Sequence, residues 1–220
     1  MISDLTILIQ GPLNKVSLDQ NQIEAYQGNG HIIISHWDDD SKIEIPNGVE
    51  IVTSHFPGTK GYVQPTADRQ FWGILYGLEK VQTEFVVRTR SDEFWNLEPL
   101  IEEYFAGDTG RVLCGNIFFK KGFPYHLGDH VFIGQTALLR AAYHFLCHDH
   151  RYGGDHAEVA LAKAIMDIKG LSHGRDSFKA LFDLIDINRL KPFRAAYRSA
   201  GIIYDNHFED PNVFTNRDQL

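Results

Sequence analysis

A chain of 220 residues fits one domain with a sizeable core and needs no disulfide or metal staple to hold it together. Its net charge of −8 speaks against a general nucleic-acid or anionic-membrane surface, and no stretch approaches the ~18 consecutive apolar residues of a membrane span. Cys114 and Cys147, both within apolar segments, read as buried free thiols, so the expected compartment is reducing and cytoplasmic. The histidines are scattered, with no His-Glu-x-x-His or Cys-x-x-Cys pattern, which gives a zinc enzyme little support.

Leu5 to Gln10 is an apolar run closed by Gly11-Pro12 and predicts a first buried strand. Val16 to Tyr26 predicts a helix, with Ser17 and Gln20 spaced as a capping box and Gly28-Asn-Gly30 as its stop. His31 to Trp37 and Val49 to Thr53 read as the next strands, and Ser54 to Gly61, rich in glycine and proline, reads as a loop. From Thr66 to Lys80, Ala67, Phe71, Ile74, Leu75 and Leu78 recur at helical spacing, and the strand Glu84 to Arg90 follows directly. Strand and helix alternate in this way over the first ninety or so residues, the pattern of parallel strands joined by right-handed crossovers. Further on, helices are expected at Glu98–Phe105, Thr136–Cys147, Asp155–Lys169 and Ser177–Ile185. Strands are expected at Arg111–Phe119, Val131–Gly134 and Gly201–Tyr204. No linker divides the chain, so the expectation is one α/β domain with a nucleotide-binding half, 1–95, and an acceptor half, 96–220.

The most informative stretch is Glu84 to Trp95, where an apolar strand ends in Arg88, Arg90 and Asp92. In open α/β sheets the ligand crevice lies beyond the carboxyl ends of the strands, so these charges belong at its lip. The competing reading is a surface ion-pair cluster. Gln10, Gly11 and Pro12 follow the first strand, where a glycine permits close approach of a ligand to the backbone or simply makes a tight turn. Arg69 and Gln70, early in their helix, could offer donors to a base or phosphate, Arg69 more readily. Asp129 interrupts an apolar segment, and Glu158 is a positioned-carboxylate candidate for a general base, with Asp155 as its substitute. Asp155 and Glu158 also have capping-box spacing.

Ile9-Gln-Gly-Pro12, Asp68-Arg-Gln70 and Arg88-Thr-Arg-Ser-Asp92, in that order, resemble the WavE-type lipopolysaccharide-synthesis family and related viral glycosyltransferases. The similarity continues weakly through His126-Leu-Gly-Asp-His130 and Asp155-His-Ala-Glu158. The resemblance implies a GT-A-like fold, a Rossmann-type mixed, mostly parallel sheet flanked by helices. It also implies inverting transfer of a hexosyl group from a nucleotide-diphosphate donor, a UDP-sugar, to a glycan hydroxyl, assisted by Mn²⁺ or Mg²⁺. Asp92 then corresponds to the last acid of an Asp-x-Asp metal signature, His207 to a C-terminal metal-site histidine, and Gln10, Gly11, Pro12, Arg69 and Arg90 to donor contacts. Arg90 stands where that signature has its first acid, so one carboxylate is missing. Two other functions compete: a sugar nucleotidyltransferase, which the single glycine and single lysine of Gly11–Lys15 suit poorly, and a non-catalytic nucleotide-sugar or carbohydrate-binding protein.

Overall fold

The computed structural model describes residues 4–13, 20–38, 47–58, 65–117, 125–149, 151–191 and 194–195. Leu5–Gln10 (β1) is buried at every position, as a strand covered on both faces must be, and lies near the middle of the sheet. The chain continues through α1 (Gln20–Gln27), β2 (His31–Trp37), β3 (Val49–Ser54), α2 (Pro65–Lys80), β4 (Phe85–Arg90), β5 (Glu93–Phe94) and α3 (Glu98–Ala106). After these come β6 (Val112–Gly115), β7 (Val131–Gln135), α4 (Thr136–His148), α5 (Ala157–Ile168), α6 (Arg175–Leu181), β8 (Phe182–Ile185), a 3-10 turn (Ile187–Leu190) and β9 (Arg194–Ala195).

Among the described residues seven strands form one sheet in the order β3-β2-β1-β4-β7-β6-β8. The neighbours β3, β2, β1 and β4 run parallel, as do β6 and β8, while β7 runs antiparallel to both β4 and β6. β5 and β9 make a separate antiparallel ribbon. The reversal at β7 has a consequence for chemistry: its N-terminal end meets the C-terminal end of β4, so residues just before Val131 stand beside residues just after Thr89. Among the described residues no helix is long and apolar enough to cross a membrane.

Two apolar layers cover the sheet. On one face α2, α4, α5 and α6 pack around Leu8, Ile33, Val86 and Phe132, and on the other α1, α3 and the 3-10 turn pack around Ile7, Ile9, Val87 and Ile133. α2 packs directly on the strands where Gly73 and Gly77 face them. A Cβ on Gly77 would stand 2.5 Å from the Leu8 side chain, and one on Gly73 3.1 Å from Trp37 and 3.2 Å from the Gln10 amide. The Ser35 hydroxyl donates to the Gly73 carbonyl at 2.6 Å, tying helix to sheet.

One expected element is different. The helix expected over Ser177–Ile185 ends at Leu181, and Phe182–Ile185 forms β8 beside β6. Its residues pair with a waiting strand, and Arg111 holds Asp183 across that pair at 3.3 Å, so tertiary pairing overrides helical spacing. β6 is shorter than expected among the described residues. Ser17 and the strand expected at Gly201–Tyr204 lie outside the described residues. Both cysteines are buried and neither forms a disulfide, as expected.

Candidate active site

Arg88 and Arg90 alternate with Val87 and Thr89, so both lie on the α2 side of β4, next to Leu8 and Gln10 of β1. Arg88 is 1% exposed; its Nη2 donates to Gln10 Oε1 at 3.0 Å, and its guanidinium lies 5.9 Å from the Phe132 ring. Its Nε and Nη1 have no hydrogen-bond partner among the described residues. Arg90 donates from Nε and Nη2 to the two oxygens of Asp92, both at 2.9 Å, and its Nε stands 3.4 Å from Glu93 Oε1. Burial works against charge on both groups, yet the pairing wins: Arg90 is raised above the ordinary guanidinium range and Asp92 is held below the ordinary carboxylate range.

The antiparallel β7 brings a second set of charges to the same place. Glu93, buried, accepts from His130 Nδ1 at 2.6 Å and from the Trp95 indole at 3.3 Å. Burial lowers the His130 pKa, but Glu93 and Asp129 overcome it and hold the imidazole above its usual range. Asp129, also buried, takes a 2.6 Å bond from the Gln70 amide at the start of α2. Burial alone would raise its carboxyl; His130, Arg88, Arg90 and Gln70 together pull it down, so Asp129 is ionised. Glu158, in the first turn of α5, faces His126 at 3.8 Å. Here burial, reinforced by the charge on Asp129, pushes the carboxyl up to about 7. The His126 imidazole is lowered, first by burial.

The sequence-derived candidates therefore divide. Gln10, Arg90, Asp92, Asp129 and Glu158 belong to one cluster at the carboxyl edge of the parallel strands, with Gln70 and Arg88. Gly11 has a φ of 141°, and a Cβ there would stand 2.5 Å from the Ser91 hydroxyl; Ser91 in turn donates to the Pro12 carbonyl at 2.8 Å. What approaches the Gly11 backbone is thus the β4 tip, and Gly11-Pro12 serves as the latch between β1 and β4. Arg69 lies 5.5 Å from the Trp37 ring and 6.0 Å from Phe56, a cation–π contact near the ends of β2 and β3. Asp155 is committed elsewhere, to Lys163 at 2.8 Å. The capping box expected of Asp155 and Glu158 is not formed: the N-cap of α5 is His156, without a side-chain cap. Trp95 is fully buried.

Glu93, His126 and His130 are cluster members that the sequence reading left unassigned. Their signal was weak. Glu93 reads as one more strand-end charge, and the two histidines flank Asp129 in a segment whose fold is set by Gly128, where a Cβ would meet the Gly115 carbonyl at 1.9 Å.

Among the described residues Asp92 is engaged by Arg90 and does not stand open to a cation. Both oxygens of Asp92 receive N–H groups from Arg90, and among the described residues no three His, Cys, Asp or Glu side chains are placed to share an ion. His207 lies outside the described residues.

Comparison with solved structures sets this geometry in context. Two structures of glucosyl-3-phosphoglycerate synthase from Mycobacterium tuberculosis superpose over 84% of this chain. One, with Mn²⁺, UDP and phosphoglyceric acid, gives a TM-score of 0.51 over 69% of its own chain. The other, with Mn²⁺, UDP-glucose and phosphoglyceric acid, gives 0.52 over 70%, and both are 12% identical in sequence. The fold is that of the GT-A glycosyltransferases. HddC from Yersinia pseudotuberculosis covers 94% of this chain and 99% of its own at 11% identity, with a TM-score of 0.47 that is too low to argue from. No family model matches the chain, and no curated protein does. The GT-A fold thus stands on structure, and the WavE-type resemblance on its motifs alone.

Proposed function

We propose that this protein is a glycosyltransferase that moves a sugar from a nucleoside-diphosphate donor, a UDP-sugar in the first instance, to a hydroxyl of a glycan acceptor. The observation that carries the reading is the convergence, on a GT-A fold, of a guanidinium edge (Arg88, Arg90) with the carboxyl group of Glu158, pushed up to about 7, at the carboxyl end of the sheet. In the proposed reaction Glu158 takes the acceptor proton as that oxygen attacks the anomeric carbon. The bond from that carbon to the diphosphate breaks, its electron pair leaves on the diphosphate oxygen, and a single displacement inverts the centre. Fixed positive charge at the β4 tip stabilises this departure more than it stabilises the bound donor. A base whose pKa lies near neutrality suits the proton transfer. Asp129, ionised and held by Gln70, faces the donor sugar or the acceptor in this reading, and residues 1–95 bind the nucleotide while 96–220 shape the acceptor side.

Mn²⁺ is present in the two mycobacterial complexes of this fold, whereas here both oxygens of Asp92 accept from Arg90. The expected alternative of a protein that binds nucleotide-sugar without turning it over is not favoured. A nucleotidyltransferase is not favoured.

Incubation with a panel of nucleotide-sugars and simple saccharide acceptors, read as nucleotide release and as product mass, tests the proposal. Transfer or donor hydrolysis is the expected result. Donor binding with no turnover across the panel would move the assignment to the binding protein.

A further inference from the structure

We propose that the Arg90–Asp92 pair does the work of a divalent cation: Asp92 is the holder of a guanidinium, and Arg90, backed by Arg88, grips the diphosphate of the donor directly. This inference rests on the glycosyltransferase reading and deepens it.

A guanidinium presents five N–H donors in a flat fork. Asp92 meets Arg90 side-on, along Nε and Nη2, with both contacts at 2.9 Å, and Glu93 reinforces the Nε side at 3.4 Å. That arrangement locks the plane of the group. It leaves the end-on edge, formed by Nη1 and the outer N–H of Nη2, without a partner among the described residues, on a side chain that is 34% exposed. Two parallel donors on one edge are the geometry that phosphate oxygens accept in pairs. Two residues back on the same face of β4, Arg88 adds a second guanidinium. It is 1% exposed, fixed by Gln10 at 3.0 Å, and carries Nε and Nη1 groups that meet no acceptor among the described residues. Buried donors normally find acceptors, so a pair of orphans on a buried cation points to an anionic oxygen brought by something else.

A metal ion at Asp92 meets the opposite situation. It would share both carboxylate oxygens with an adjacent full positive charge, and it would find no further cluster of carboxylate or imidazole ligands among the described residues. The residue at 90 is the whole difference, since an acid there would be a ligand and an arginine there is a substitute for the ion. In the transfer step the electron pair released from the anomeric C–O bond stays on the terminal diphosphate oxygen. Arg90 N–H groups meet that charge while the acceptor proton passes to Glu158, so no group other than donor and acceptor is consumed.

Calorimetric titration of the full chain with UDP, GDP, ADP, CDP, dTDP and inorganic pyrophosphate, in EDTA and then in Mn²⁺, tests the inference. At least one diphosphate should bind in EDTA, and Mn²⁺ should change its Kd by less than about threefold. Arg90→Gln should weaken binding by about tenfold or more under both conditions, as loss of a charge-assisted pair requires. Asp92→Asn should weaken it equally with and without the metal. Arg90→Lys keeps the charge without the fork and should fall between wild type and Arg90→Gln, which covers the case in which the glutamine variant fails to fold. Binding that requires Mn²⁺, with Asp92→Asn removing only the Mn²⁺-dependent part, would overturn the inference and leave the transferase reading standing. Silence from every diphosphate under both conditions would overturn both.

Discussion

Glu158 is the residue on which a pH experiment can act. Its carboxyl is pushed up to about 7 by burial and by the neighbouring charge of Asp129, so the proposed base is half-ionised near neutrality. Activity should rise with pH through about 7 and level off above it. Glu158→Gln should lose this limb together with about 10²–10⁴-fold of the rate, measured as kcat at saturating donor. Stability should move the other way. A carboxyl whose folded-state pKa lies above its unfolded value favours the folded protein at low pH, and that benefit is lost as pH rises from about 4.5 to about 7. Above pH 7 the buried charge costs on the order of 3 kcal/mol, so Glu158→Gln should be the more stable protein in alkaline urea melts while being the less active. Asp129→Asn removes the like charge beside Glu158 and should shift the activity limb to lower pH. An unchanged limb in that variant would separate Asp129 from the base.

At the scale of elements, two contacts far apart in sequence hold the site's frame. Arg140 of α4 donates from Nε and Nη2 to the Leu78 carbonyl at 3.1 and 2.9 Å, and from Nη2 to the Val81 carbonyl at 2.8 Å, closing the C-terminal end of α2. Arg140→Met keeps the aliphatic stem but leaves those carbonyls without their charged donor, and should lower unfolding free energy in urea by about 2 kcal/mol. Gly128 carries the segment that positions His126, Asp129 and His130 over the end of β6. A methyl there would collide with backbone, not with a yielding side chain, so Gly128→Ala should cost on the order of 3 kcal/mol and disturb the cluster as well. The β1–β4 latch follows the same logic: Gly11 was legible as a turn, but that Ser91 fills the space beside it depends on strand pairing.

For the whole molecule, one sheet carries two cores, and the three tryptophans report on both: Trp37 and Trp72 lie in the layer under α2, and Trp95 in the layer under α3. Because β1, β4 and β7 contribute side chains to each layer, neither core can be lost alone. Variants retaining only Trp95, or only Trp37 and Trp72, should therefore show coincident urea transitions, and separated midpoints would mean the layers unfold independently. The alternation of apolar runs and helical spacing was enough to determine the strands from Leu5 to Arg90, the helices α2 to α5, and the placing of Gln10, Arg90 and Asp92 at strand ends, because burial on two faces and on one face leave different periods in the chain. Tertiary structure alone decided that β7 runs backwards beside β4, which brings Glu93, Asp129, His130 and Gln70 together from distant positions. It also decided that Phe182–Ile185 pairs as a strand, that Asp155 turns to Lys163, and that Asp92 clasps Arg90. Local pattern records whether a residue is covered, whereas which charge answers which depends on strand order and direction, and these arise from contacts between segments that no window of sequence contains.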